Sequence, residues 1–170
     1  MESIVKLSQI QWNHLDQLIN SSSSEGHSFL KLMKAQYISG DNRFEYEGEG
    51  VYAYIKNQQL IGICGLNKDP YLEDKNVGRI RHLYILPEFR KMGYGRQLIE
   101  HVVREAQSHY KLLTLRTFEY NASAFYKCLG FQTDTMIYAA THHYQLNSEE
   151  YFPESYLDKI QKGEYELKYC

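Results

Sequence analysis

The stretch of the chain best suited to chemistry spans residues 90–96 and reads RKMGYGR. Its two glycines, Gly93 and Gly95, allow a ligand to approach the backbone closely. Its three cations would surround the unpaired N–H groups of a helix that begins at this point. Such a turn can hold a pyrophosphate, because the N–H groups and the helix dipole both favour an anion. A tight turn with a solvated basic edge is the alternative that this segment alone leaves open.

Two common phosphate-binding motifs do not fit these residues. The dinucleotide-binding fingerprint requires a third glycine at position 98, which Leu98 occupies. The P-loop requires a Gly-Lys-Ser/Thr sequence at a spacing that the chain lacks. Binding of a different nucleotide at the same loop stays open, since it would use the same electrostatics.

A strand and a helix must position this loop. The residues from Ile80 to Leu86 form an apolar, β-prone run, and Pro87 ends it because proline cannot donate to a central ladder. From about Gly95 the apolar residues follow helical spacing. The stripe consists of Leu98, Ile99, Val102, Val103 and Ala106. The pattern therefore predicts a strand, a short loop, and a helix that starts just after the glycines.

Two motifs of the chain resemble the GNAT superfamily of N-acetyltransferases. The first reads Arg90-x-x-Gly93-x-Gly95, preceded by Leu83-Tyr84-Ile85-x-Pro87, and is similar to the acetyl-CoA motif of that family. The second consists of Ala122, Tyr126, Leu129, Gly130 and Phe131, similar to the motif that follows the fifth strand. The resemblance implies an α/β (α+β) fold with a mixed sheet of about six to seven strands, helices on both faces, and a splay between strands four and five.

The resemblance also implies where acetyl-CoA, the co-substrate, binds. N–H groups of the central strand would bond the pantetheine arm, and the loop would hold the pyrophosphate. The implied binding residues are Leu83, Tyr84, Ile85, Arg90, Lys91, Met92, Gly93, Tyr94, Gly95 and Arg96. Asn121 is a further candidate, although many family members carry the asparagine two residues earlier, where this chain has Glu119. An asparagine that satisfies backbone N–H groups at a helix start is the open alternative.

Tyr126 matches the tyrosine that faces the CoA sulfur in the family, which implies that it protonates the leaving thiolate. The alternative is that Tyr126 only packs against neighbouring side chains and takes no part in the chemistry. No general base is identified, because the strand positions that carry Glu or His in several relatives hold Arg79 and Arg81 here, and arginine cannot deprotonate an amine. His82 is predicted to point to the opposite face. Two routes for removing the amine proton stay open: Glu45, Glu47 or Glu49 of the acidic loop at residues 41–50 could act through water, or the acceptor could arrive with a lower pKa.

The rest of the chain predicts further elements. Ser8 and Gln11 form a capping box for a first helix, which a polar break at Ser21–Ser24 ends. A second helix ends at Gly40 and another, near residues 122–129, at Gly130. Further strands are predicted at residues 4–7, 51–55, 60–66, 112–118, 131–138 and 140–146, with a hairpin joining the second and third.

The length of 170 residues fits one domain with a real core. We predict a GNAT-like domain over residues 1–146 and a C-terminal extension over residues 147–170 that packs on the same domain. Within the extension, Tyr156, Leu157 and Ile160 predict a short helix, and the alternation in residues 165–169 predicts a brief strand.

Charge and cysteine usage narrow the partners. A net charge of -2 argues against a general nucleic-acid or membrane-surface protein. The three cysteines are odd in number and lack metal-ligand spacing, so we expect a reduced, cytoplasmic protein. No metal site is predicted, because His142 and His143 would face opposite sides of a strand. No secretory leader or membrane-spanning segment is recognised.

The combined prediction is an N-acetyltransferase that moves an acetyl group from acetyl-CoA to a primary amine, expected to be a small molecule, by direct transfer in a ternary complex. The alternatives are a protein or peptide amine as the acceptor, and a non-catalytic module that senses acyl-CoA. A homodimer is compatible with either class.

Overall fold

The computed structural model describes residues 1–134, 136–154 and 156. The strands within these residues are β1 (Glu2–Lys6), β2 (Gly50–Lys56), β3 (Gln59–Lys68), β4 (Val77–Ile85), β5 (Leu112–Leu115), β6 (Gln132–Thr133) and β7 (His142–Gln145). The helices are α1 (Trp12–Ser24), α2 (Phe29–Ser39), α3 (Tyr94–Ala106) and α4 (Tyr120–Cys128), and a 3₁₀ turn covers Pro87–Phe89. No helix in this described part is both long and apolar enough to cross a bilayer.

The strands form one mixed, open sheet in the order β1-β2-β3-β4-β5-β7-β6. The first three are antiparallel neighbours, and a two-residue turn at Asn57–Gln58 joins β2 to β3, as the sequence predicts. β4 and β5 run parallel, and α3 supplies the crossover that a parallel pair requires. The predicted fold class is therefore confirmed.

The chain divides into two compact units, the first of which comprises Met1–Asn67 and Ile80–His109. Its main cluster of buried side chains joins α1 and α2 to the strands, and consists of Leu15, Leu18, Ile19, Leu30, Met33, Phe44, Val51, Ile63, Tyr84 and Leu86. In the same unit α3 buries the apolar stripe predicted from its helical spacing. That burial orients the helix whose first turn follows residues 90–93.

The second unit comprises Lys68–Arg79 and the described chain from Tyr110 onward. Leu72, Val77, Leu112 and Ile137 form its buried cluster, against which Tyr151 and Tyr156 pack. The Tyr151 hydroxyl donates to Asp74 at 2.5 Å. The helix and strand predicted through residues 157–169 lie outside the described residues, and the domain boundary at residue 146 stays a prediction.

The start and the end of α1 correct two predictions. The residue that caps α1 is Gln11, without a side-chain bond, so the predicted capping box does not form. The predicted polar break at Ser21–Ser24 is helical. Two of its hydroxyls bond back to the helix, since Ser23 donates to the carbonyl of Ile19 at 2.8 Å and Ser24 donates to that of Ser21 at 2.7 Å. The Ser21 hydroxyl bonds Tyr84, and Ser22 Oγ is buried without a hydrogen-bond partner among the described residues. The helix reaches Ser24.

The last two strands are shorter than predicted. Residues 136–139 form a turn instead of continuing β6, with the Met136 N–H donating to the Asp134 carboxylate at 2.7 Å and the Ala140 N–H to the Ile137 carbonyl at 3.2 Å. β-prone residues in this segment suggested a strand, but the carboxylate at its start offers the backbone a local partner.

His82 interrupts β4 with a left-handed backbone, at a φ of 58°. Such a residue breaks strict strand alternation, so alternation does not decide which way its side chain points. The ring lies 6.4 Å from Phe29, nearly parallel, and 6.3 Å from Phe44, edge-on. Its Nε2 is buried without a hydrogen-bond partner among the described residues. Burial first, and Arg81 second, lower the pKa of His82 to about 3.

This lowered pKa predicts a pH dependence of stability. The unfolded chain takes up a proton at His82 near its ordinary pKa, whereas the folded chain does so only near pH 3. Stability should therefore fall as the pH is lowered through that window, by at most about 1.4 kcal/mol per pH unit. His82→Asn removes the titrating group, and asparagine tolerates a left-handed backbone. In urea unfolding, the free energy of unfolding of the parent should therefore fall more between pH 7 and pH 4 than that of His82→Asn. Parallel pH profiles for the two proteins would contradict the assignment.

Candidate active site

The loop that ends at α3 presents unbonded backbone N–H groups. Two of its residues are left-handed, Lys91 at a φ of 60° and Gly93, which caps α3, at a φ of 89°. The N–H of Gln97 is the first to bond within the helix, to the Gly93 carbonyl at 3.0 Å. The N–H groups of residues 91–96 make no hydrogen bond to the described chain. These donors can be satisfied by water or by a ligand, and an anion fits them.

The side chains of this loop divide into two groups. Lys91, Met92 and Arg96 are exposed, and Arg96 pairs with Glu100 one turn later at 2.8 Å. Tyr94, in contrast, is buried, and its ring packs 5.1 Å from Tyr54. The Tyr94 hydroxyl bonds Lys56 and Glu2 inside the first unit. Tyr94 can therefore offer a ligand at this loop its N–H but not its side chain.

Arg90, the first residue of the glycine motif, is held by an acidic partner that the sequence did not suggest. Its Nη1 and Nη2 donate to the two carboxylate oxygens of Glu25 at 2.7 and 2.8 Å, and its Nε donates to the Ile85 carbonyl at 2.9 Å. The hydrogen bonds from Arg90 are the main reason that the pKa of Glu25 falls to about 2, and the Tyr84 hydroxyl adds to the effect. Glu25 follows the last residue of α1, 65 positions earlier in the chain.

The end of β4 carries the three residues predicted to bond the pantetheine arm. The Tyr84 side chain is buried in the first unit, where its hydroxyl bonds Ser21 at 2.8 Å and Glu25 at 2.5 Å. Leu83 is half-buried and Ile85 is buried. The ladder to β5 ends at the pair Arg79↔Thr114, so the later residues of β4 have no β5 partner among the described residues. Backbone groups on that side of the strand are available to an extended ligand.

The second unit buries Tyr126 in an aromatic cluster. Tyr126 lies on α4, and its ring centroid is 5.1 Å from that of Phe125, 5.4 Å from that of Phe131 and 6.4 Å from that of His142. These contacts fix the plane of the phenol. Packing and proton donation are compatible roles for one tyrosine, so the acid role stays a prediction.

A hydroxyl and imidazole pair beside Tyr126 was missed from the sequence. Ser123 on α4 bonds His142 Nε2 at 2.8 Å, and Thr141 bonds His142 Nδ1 at 2.8 Å. The Thr141 hydroxyl oxygen also accepts the Thr117 N–H at 2.9 Å and lies 3.5 Å from the Leu115 carbonyl. Burial first, then Lys127 and His143, lower the pKa of His142. No sequence spacing signals this pair, since the members lie on different elements.

Asn121 occupies the second position of α4. The residue that caps this helix is Glu119, and no side-chain cap bond forms. The Asn121 side chain is exposed and makes no hydrogen bond with the described residues. The capping role suggested for it is thus absent, and contact with CoA stays a prediction.

Comparison with known proteins decides the family. Residues 12–131, which include the loop, the end of β4 and α4, match the acetyltransferase (GNAT) family. The chain belongs to the GNAT acetyltransferase family. It is accordingly an acyltransferase, as the two sequence motifs predict.

Solved structures similar to this chain include an acetyltransferase, an N-acetyltransferase and an N-acetylglutamate synthase. A protein assigned as an acetyltransferase from Exiguobacterium sp. 255-15 is 28% identical, with a TM-score of 0.73 over 85% of this chain and 93% of that one. The ribosomal-protein-S18-alanine N-acetyltransferase of Escherichia coli is 16% identical, with a TM-score of 0.62 over 89% of this chain and 100% of that one. N-acetylglutamate synthase of Neisseria gonorrhoeae, complexed with coenzyme A and N-acetyl-glutamate, is 18% identical, with a TM-score of 0.60 over 96% of this chain and 33% of that one. At these two lower identities the likeness concerns the fold alone.

Arg79 does not offer a free cation in this GNAT chain. It is buried in the second unit, where Nη1 pairs with Asp69 at 3.3 Å and Nη2 donates to the Ala139 carbonyl at 2.8 Å. The Tyr71 ring covers the guanidinium at 4.6 Å. Thr114 completes the group by donating to Asp69 at 2.5 Å. Arg79 therefore serves the packing of its unit, and recruitment of an acceptor anion by this side chain is not supported.

The acidic loop at residues 41–50 is only partly solvated. Glu49 is buried, whereas Glu45 and Glu47 are exposed. Phe44, at a φ of 54°, packs into the core of the first unit, and Tyr46 is 75% exposed. The exposed side chains of this loop, which a ligand can reach, are Asp41, Arg43, Glu45, Tyr46 and Glu47.

The N–H groups of the loop suggest a test with a charge-only comparison. Gly95→Asp places a carboxylate in the first turn of α3, where the helix dipole favours it, so the fold should persist. The same carboxylate should repel a pyrophosphate and raise the Kd for CoA by roughly 100-fold or more at short range. Gly95→Asn, which is nearly isosteric and neutral, is the matched control and should lose much less affinity. Calorimetric Kd values that are equal for Gly95→Asp and the parent would contradict the loop assignment.

Proposed function

We propose that this protein transfers an acetyl group from acetyl-CoA to the primary amine of a small molecule, directly within a ternary complex. The observation that carries the proposal is the set of unbonded N–H groups at residues 91–96, which together with exposed Lys91 suits a pyrophosphate. Membership of the GNAT family supports acyl-CoA as the donor. When bound, acetyl-CoA supplies the activated acetyl group as a thioester.

Several residues of the chain fit CoA. The backbone of residues 91–96 would hold the pyrophosphate, with Lys91 and Arg96 adding positive charge. Backbone groups of Leu83, Tyr84 and Ile85 would bond the pantetheine arm, because the β5 ladder has ended before them. Asn121 has an exposed amide without a partner among the described residues and could contribute a further bond.

Tyr126 is the proposed general acid. A phenol with an ordinary pKa of about 10 can protonate a departing thiolate. The aromatic packing of Tyr126 holds its ring in one orientation, which favours a directed proton transfer.

The amine acceptor must lose a proton before it attacks. A lysine-like amine, with a pKa of about 10.4, is almost entirely protonated at pH 7, and its deprotonation costs roughly 4 to 5 kcal/mol. Arg79 and Arg81 cannot accept this proton. We propose that a water held by Glu45 or Glu47 accepts it, or that the acceptor has a lower pKa. Exposed carboxylates also attract cations, which supports a cationic acceptor.

We also propose that the protein works in a reducing, cytoplasmic environment. Cys64 is a buried free thiol whose pKa is raised by burial, and Cys128 is an exposed free thiol. Free thiols are typical of that compartment.

The decisive experiment measures thiol release from acetyl-CoA across a panel of polyamines, amino acids and N-terminal peptides. Acceptor-dependent thiol with small amines supports the proposal. Activity confined to peptides would assign a protein amine as the acceptor. Binding of CoA without thiol release from any acceptor would favour a sensor, and competition by ATP would indicate a nucleotide site.

Tyr126→Phe should lower kcat by about 10²- to 10⁴-fold, the usual contribution of a positioned acid, with little change in the Kd for CoA. Phenylalanine preserves the aromatic contacts, so the fold should hold. Tyr120→Phe, at an exposed position of the same helix, is the matched control and should keep the parent kcat. Parent-like turnover in Tyr126→Phe would make this tyrosine structural.

Replacing Glu45 and Glu47 together by Gln should raise the KM for a polyamine by about tenfold and leave the KM for acetyl-CoA unchanged, because the exposed carboxylates would no longer attract a cation. Glu49 is kept because it is buried. The double variant of Glu149 and Glu150 to Gln, at exposed positions of the second unit, removes the same charge and should have no effect. An unchanged KM for polyamines in the first variant would exclude this loop from acceptor binding.

A further inference from the structure

The bidentate pair between Glu25 and Arg90 closes a network of four side chains. The carboxylate of Glu25 accepts two bonds from Arg90 and one from the Tyr84 hydroxyl. Since the single proton of Tyr84 is used on Glu25, Ser21 must donate to the Tyr84 oxygen at 2.8 Å. The Arg90 guanidinium also lies over the Tyr84 ring, at 5.2 Å. The direction of each bond in the network is therefore fixed.

This network joins three separate parts of the first unit. Ser21 and Glu25 belong to the end of α1 and the residue after it, Tyr84 to the end of β4, and Arg90 to the start of the loop. The third bond of Arg90, from Nε to the Ile85 carbonyl, ties the loop to the strand as well. Arg90 is thus held by the end of α1 and by the end of β4.

The pair also removes the charge of Arg90 from the loop. A carboxylate at 2.7 Å neutralises the guanidinium, and bidentate pairing is the strongest arrangement that these two groups form. The side chains retain 40% and 29% of their exposure, so solvent reaches the pair without separating it. The bonds to Glu25 and Ile85 use three of the five N–H donors of Arg90, so a phosphate could reach only the remaining two while the pair is intact.

We propose that Arg90 is a positioning residue rather than a phosphate ligand, and that Glu25 holds it so that the backbone N–H groups of residues 91–96 meet the pyrophosphate. This inference rests on the proposed binding of CoA at the loop. It assigns a role to Glu25, which lies far from the glycine motif in the sequence. Lys91 and the N–H groups then supply the direct contacts.

Glu25→Gln gives opposite results for the two roles of Arg90. If Arg90 positions the loop, the variant weakens the pair and raises the Kd for CoA by roughly tenfold, since small misplacements at a binding site are costly. The KM for acetyl-CoA should rise in parallel, while kcat at saturation stays within about twofold of the parent. If Arg90 instead contacts the pyrophosphate, loss of the Glu25 charge frees the guanidinium, and CoA binds more tightly. Tighter or unchanged binding overturns the proposal.

Arg90→Lys provides a second, independent measurement. Lysine keeps the positive charge but loses the bidentate bond and the planar fork. A positioning role predicts a loss of CoA affinity similar to that of Glu25→Gln, with an unchanged dependence of the Kd on salt. A phosphate ligand predicts near-parent affinity, because lysine can still pair with the anion, and that result overturns the proposal. Circular-dichroism melting of each variant identifies any loss of fold.

Glu100→Gln is the matched control. It removes the carboxylate partner of Arg96 in the exposed pair near the same loop, at the same distance of 2.8 Å, and should not weaken CoA binding. Measuring CoA binding by the parent protein distinguishes a failure of the proposed function from a failure of the role assigned to Glu25. If the parent does not bind CoA, the proposed function fails and the inference falls with it. If the parent binds CoA and Glu25→Gln binds it more tightly, only the inference fails.

Discussion

A buried ion pair lies where the parallel ladder between β4 and β5 stops. Asp69 and Arg79 are both buried, and Arg79 with Thr114 is the last residue pair of the ladder. Desolvating two charges in such a place costs several kcal/mol each, and this cost is offset only when the pair is well hydrogen-bonded. Here the Thr114 hydroxyl donates to Asp69 and the Ala139 carbonyl accepts from Arg79, which adds to the attraction within the pair. Beyond this point β4 continues for six residues to Ile85 without β5, and the backbone of its last three residues is the proposed site for the pantetheine arm of CoA.

The three cationic side chains of the loop at residues 90–96 contribute less to anion binding than their number suggests. Of its three cations, Arg90 pairs with Glu25 and the exposed Arg96 pairs with Glu100, while Lys91 makes no ion pair within the described residues. Attraction of an anion therefore depends mainly on backbone N–H groups and the dipole of α3. These donors are oriented by the fold and do not have to be ordered when a ligand arrives.

Local patterns in the sequence predicted most of the elements, and contacts between distant residues account for most of what was missed. The apolar stripe of α3 and the glycine at the start of that helix are local, so periodicity and residue type suffice to find them. The partner of Arg90 lies 65 positions away, and nothing in the spacing indicates it. The serines that extend α1 were misread because their composition is typical of a break, whereas in the folded helix the hydroxyls of Ser23 and Ser24 bond helix carbonyls and that of Ser21 bonds Tyr84. The roles of Tyr126 and Asn121 follow from the family motif, and their positions on α4 alone do not test them.

The separation of Glu25 from the glycine motif has a consequence for protein engineering. A loop transplant that moves residues 90–96 into another scaffold carries the guanidinium but leaves its carboxylate behind. Arg90 would then meet whatever anion the new host presents, including the phosphate itself. The transferable unit is the loop together with the last turn of α1, and the two must be moved as one piece.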